Sequence, residues 1–144
     1  MISQPRAEAL RDAGLRWTPA PGDRFVIPQP ALSGEVFTLS EMTIEAREYP
    51  TGTVLGFNGT TEWALDSVAK EEALWLPRED QLRELLGRTF VSLRQEDGAG
   101  REPSHTVSTR GPGGEQEFTA RIAEDAYADA LLALIAHALD AAQV

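Results

Sequence analysis

The sequence predicts an α+β domain: a single antiparallel sheet of about six strands packed with N-terminal, middle and C-terminal helices. Three observations carry that expectation. The 144 residues, 42% of them hydrophobic, suit one domain with one core and need no covalent staples. Turn signals such as Pro50-Thr51-Gly52 and Gly111-Pro112-Gly113-Gly114 join short alternating runs, which is hairpin grammar rather than βαβ grammar. Helical periodicity is confined to the start, the middle and the end.

The first helix is expected to open at Ser3, with Pro5 in its first turn where a missing N–H costs nothing, and to stop at Gly14. Residues 15–21 are extended and proline-punctuated. Gly22-Asp23 then turns the chain into a strand over 24–27, ended by Pro28 and Pro30. Residues 35–39 and 42–47 read as strands, the second with Met42, Ile44 and Ala46 alternating against Thr43, Glu45 and Arg47. The turn at Pro50 and Gly52 returns the chain as a strand over 53–57.

Asn58-Gly59 supplies another tight turn, and Thr60 or Thr61 is expected to cap a short helix through Trp63, Leu65 and Val68. The run Ala73-Leu74-Trp75-Leu76 must be buried on both sides or meet another chain, and burial within the monomer is preferred. After Pro77 a second helix places Leu82, Leu85 and Leu86 inward and ends at Gly87. Glu79 with Arg83 and Glu84 with Arg88 stand one turn apart on its wet side. Three strands follow over 90–95, 105–110 and 116–122. The closing helix, from Glu124 to about Ala142, carries Tyr127, Ala130, Leu131, Leu134, Ile135 and Ala138 on one side. Burying its large members at roughly 1.5–3 kcal/mol each makes it a principal contributor to the core.

Composition excludes several functions. Formal net charge is −10, which repels phosphate backbones and anionic lipid alike, so nucleic acid and membrane surfaces are poor partners. The chain has no cysteine, which removes disulfides and thiolate chemistry and fits a reducing, cytoplasmic setting. No apolar run reaches the roughly 20 residues that span a bilayer, and the N-terminus lacks the pattern of a signal peptide.

Candidate chemistry is sparse. Asn58, Thr60, Thr61, Glu62 and Asp66 would converge beside a pocket walled by Trp63 and Trp75, a possible ligand site. The same residue types serve as caps and turns wherever a strand meets a helix. Arg78, Glu79, Arg83 and Glu84 lack the additional glutamates of a magnesium-holding pyrophosphohydrolase helix. His105 is expected on a strand and His137 on the outer side of the last helix, with no ligand spacing that would build a zinc site. The Gly111–Gly114 turn lacks the Gly-Lys-Ser/Thr ending of a phosphate loop. No cofactor and no metal is expected, and no catalytic residue is assigned.

At FNGTTEWALDSV and EALWLPREDQLRELLG the chain resembles a family of small uncharacterised bacterial proteins that end in an alanine- and leucine-rich helix. Members sometimes labelled pilus assembly protein would imply an ATPase, which this sequence contradicts: Lys70 sits in Val-Ala-Lys-Glu-Glu with no glycine loop before it. The order of helices and strands, low pI and small size are also similar to acidic secretion chaperones, which implies a homodimer. The resulting expectation is a non-catalytic protein-binding or regulatory module that meets a protein partner through Trp63, Trp75 and Leu76. The alternative is a small-ligand binder or enzyme using Asn58, Thr60, Glu62 and Asp66.

Overall fold

The computed structural model describes residues 1–32, 34–39, 44–49, 52–57, 67–69, 72–98, 100 and 102–142. They form an α+β chain with three α-helices and nine strands among the described residues. The chain divides into two compact units, one made of Met1–Leu15 with Pro77–Val144 and the other of Arg16–Leu76.

In the first unit, α1 (Gln4–Asp12) begins after Ser3 with proline in its first turn, and Gly14 takes the positive φ of 106° that lets the chain leave the helix. The Ser3 hydroxyl does not cap it. Instead the Ser3 N–H donates to Asp125 Oδ1 at 2.8 Å, and Arg6 reaches Asp125 at 3.5 Å and Asp129 at 3.3 Å. These contacts fasten α1 to the opening turns of α3 (Ala123–Ala142). Helix α2 (Glu79–Leu86) starts where the Arg78 N–H donates to Gln81 Oε1 at 2.9 Å, with Glu79 and Asp80 favourable at its positive end. Leu82 and Leu86, one turn apart, are buried. Leu85 was expected beside them but falls at the edge of that stripe and is exposed.

Strands β7 (Phe90–Glu96), β8 (Ser104–Gly111) and β9 (Gly114–Ala120) form an antiparallel sheet in that order. Gly111 pairs with Gly114 across a two-residue turn, as the glycine-rich sequence predicts. The last strand stops at Ala120, short of the expected 122, because the Ile122 carbonyl already accepts the Ala126 N–H and opens α3. Leu93, Val107 and Phe118 stand in register on one face, and Val107 is fully buried. The opposite row, Arg94, Thr106 and Thr119, is polar, with the two threonine hydroxyls 2.8 Å apart. One side packed and one side hydrophilic is the ordinary economy of an antiparallel sheet. Helix α3 lies against β8, β9, α1 and α2. It buries Ala123, Ala126, Tyr127, Ala130 and Leu131 at helical spacing, and Tyr127 stacks on Phe90 at 5.7 Å between ring centres.

The second unit holds two sheets. In one, β1 (Arg24–Val26) pairs with β2 (Val36–Thr38) on one side and β6 (Leu74–Leu76) on the other. In the other, β3 (Ile44–Tyr49), β4 (Gly52–Phe57) and β5 (Ser67–Ala69) form a meander in sequence order. Two sequence expectations are corrected here. A single sheet of about six strands is replaced by three separate three-stranded sheets, because hairpins settle nearest neighbours but never oblige two hairpin systems to share an edge. Val68, expected on a helix, lies in β5 paired with Leu55, in keeping with the preference of β-branched residues for strands. The expected caps Thr60 and Thr61, the body of that helix and Met42 lie outside the described residues.

Leu131→Ala should cost about 2–5 kcal/mol, read as a lowered midpoint in urea denaturation, since the leucine is 4% exposed on the packed face of α3.

Candidate functional site

Of the residues singled out in the sequence, Asn58, Thr60, Glu62, Trp63 and Asp66 lie outside the described residues. Trp75 and Leu76 fall on β6. Trp75 is paired with Phe25 across β1, and Phe25 with Phe37 on the far side, so one pleat of the sheet carries three rings in a row. Phe25 and Phe37 stack at 5.5 Å. Trp17, from the extended segment before the strand, stands 5.5 Å from Phe25 and lies nearly parallel to Trp75, 6.4 Å away at 9°. Ile27, Leu39 and Ala73 complete this core, with Leu32 against it.

The platform is fixed at one corner by a buried carboxylate. Trp17 Nε1 donates to Asp23 Oδ2 at 2.9 Å, and the Ala20 N–H donates to the same oxygen at 3.0 Å. Asp23 is 3% exposed, so these donors replace the water it has lost. Gly22, with φ at 91°, makes the turn that delivers it. Trp75 differs from its neighbours. It is half-buried, and its indole N–H is enclosed with no hydrogen-bond partner, whereas Leu76 is 3% exposed beside it. Leu76 pairs with Arg24 and points to the other face of the sheet, away from the rings. The arrangement leaves part of one aromatic ring, that of Trp75, open to solvent.

The first unit holds a second unusual group. The Tyr127 hydroxyl is buried beside the side chains of Glu79 and Arg83. Burial pushes its pKa above the ordinary tyrosine value, the negative charge of Glu79 adds to the rise, and Arg83 opposes it. The Arg83 guanidinium lies 4.2 Å over the Phe90 ring, completing a stack of cation, phenyl and phenol. The histidines are apart in role: His105 Nδ1 donates to the Arg121 carbonyl at 2.9 Å. His137, expected on the outer side of α3, is exposed, and it also borders a groove shared with the turn between β8 and β9. It stands at helical spacing from Ala130, Ala133 and Leu134, and that periodicity accounts for its place beside the groove. Among the described residues no group of three His, Cys, Asp or Glu is placed to hold a metal ion.

Sequence reasoning missed Trp17 and Asp23. An aspartate directly after Pro21-Gly22 is a signal for a carboxylate that accepts from the local backbone; nothing in the sequence paired it with the indole. Compared with known proteins, the chain matches no family model, no curated protein and no solved structure.

Two outcomes are expected. Asp23→Ala should lower stability by about 1–3 kcal/mol, the cost of leaving a buried donor unpaired, in chemical denaturation followed by tryptophan fluorescence. Because the folded Tyr127 pKa is raised, the stability it contributes is complete below the unfolded value of about 10 and is lost as pH climbs through the folded value. Denaturation midpoints should therefore fall above pH ~10 in the wild type, and Tyr127→Phe should flatten that decline.

Proposed function

We propose that this protein is a non-catalytic, acidic, cytoplasmic module that binds a protein partner or regulates it, with Trp75 at the centre of the contact. The observation that carries the reading is the half-buried indole of Trp75, seated on a rigid aromatic platform with an enclosed N–H that has no acceptor. An enclosed donor left unmade costs roughly 1–3 kcal/mol. A partner that covers the exposed part of the ring removes that area from water, which is how tryptophan comes to dominate interfaces. The net charge of −10 favours a partner with a basic surface, because complementary potentials speed and orient encounter.

Leu76, 3% exposed on the face of β6 opposite Trp75, has too little surface to serve as a contact, and Trp63 enters as a further contact whose part in binding is tested by its own alanine variant. Affinity capture with the wild type, followed by reconstitution with the purified partner, is the direct test. Trp75→Ala should weaken the reconstituted complex by at least tenfold, and Trp75→Phe should retain part of the affinity because most of the ring area is kept. Failure of the wild type to capture any stoichiometric partner sinks the proposal. So does a thermal shift with a metal or metabolite that Glu62→Ala or Asp66→Ala abolishes; ligand at 100 times its dissociation constant adds about 2.7 kcal/mol. Such a result would make the protein a small-ligand binder.

A further inference from the structure

The C-terminal half of α3 and the turn between β8 and β9 enclose a groove of about 300 Å³. Its shape follows from residue size. The helix presents Ala130 and Ala133, the turn presents Gly111 and Gly113, and no long side chain occupies the space between them. A Cβ at Gly111 would come within 3.3 Å of the Thr89 methyl, so glycine keeps the floor open at that point. Ala130, Ala133, Leu134 and Thr109 line its walls.

The outer end is different in character. His137, Asp140 and Gln116 border it, all exposed, and Asp140 has no ion-pair partner among the described residues. No lysine or arginine lines the groove. The last turn of α3 carries no basic residue, so the partial negative charge of the helix C-terminus, equivalent to roughly half an electron, is not offset there. A trough with alanine and leucine along one side that ends in a carboxylate and a helix C-terminus suits a straight aliphatic stem with a compact cation at its tip.

We propose that this groove receives a lysine side chain from a basic segment of a partner protein. The stem lies along Ala130, Ala133 and Leu134, and the ammonium is directed to Asp140. The inference rests on the protein-binding reading above and adds to it the chemistry of the partner, at a place independent of Trp75.

The test is an NMR titration of the full-length, isotope-labelled chain with N-acetyl-lysine methylamide, with the norleucine and glutamate analogues as controls. Saturable amide shifts are expected at Gly111, Gly113, Ala133 and His137 with the lysine probe, and binding of the norleucine probe should be several-fold weaker. Asp140→Asn, an exposed change with no bearing on folding, should weaken the lysine probe by about threefold to fivefold, the range of an exposed charge pair. Ala133→Leu should abolish binding by filling the trough, its fold checked by circular dichroism. Trp75→Ala should leave the lysine probe unaffected. Shifts absent from these four residues, norleucine binding equal to lysine, or indifference to Asp140→Asn would each overturn the proposal. Concentration-dependent dimerisation that covers these residues would overturn it too, since the occupant would then be a second copy. A partner captured through Trp75 with a silent groove would refute this inference alone. A responsive groove together with a captured partner that Trp75→Ala binds as tightly as the wild type would refute the Trp75 reading alone.

Discussion

The packing of one helical face holds the first unit together. Along α3, Ala123, Ala126, Tyr127, Ala130 and Leu131 are buried, and the helix meets β8, β9, α1 and α2. Small residues at 123, 126 and 130 let the helix approach the sheet closely. Tyr127 and Leu131 supply the area whose removal from water drives the association. The adjoining face, carrying Asp125 and Asp129, holds Arg6 and the backbone of Ser3. One helix thus serves as floor for the sheet and as dock for α1, and the other elements of the unit are arranged around it.

The second unit relies on a different device. Short strands of three residues bury little by themselves, and β1 is flanked by two of them. What compensates is the concentration of rings on one pleat, Phe25 between Phe37 and Trp75, with Trp17 laid against both Phe25 and Trp75. Aromatic pairs at such separations add about 0.5–1.5 kcal/mol beyond the area they bury. Asp23 fixes the indole of Trp17 and so fixes the platform on which Trp75 rests.

Local rules carried much of this architecture in the sequence. Pro5 and Gly14 bracket α1, Pro77 and Gly87 bracket α2, and the pairing of Gly111 with Gly114 is written in the turn itself. Each of those signals acts over a few residues. The pairing of Arg24 with Leu76 has no such signal, since the strands are separated by the whole of the β3–β5 meander. Three sheets therefore could not be told from one. The candidate site was legible in part. The run around Trp75 announced burial through consecutive apolar residues, and three of its four members are buried. The unpartnered indole N–H, the Asp23 anchor and the trough beside His137 depend on where side chains end in space, which periodicity does not encode.

The tie between α1 and α3 has a consequence for the order in which the protein is made. Arg6 and Asp129 stand 123 positions apart, so a ribosome adding about 5–20 residues per second releases the first well before the second, by roughly six to twenty-five seconds. For the part of that interval after Leu76 has been added, the described strands of Arg16–Leu76 have all their partners. The nascent amino-terminal segment, with Ala7 and Leu10 still uncovered, is the stretch for which a chaperone would have the most time to compete.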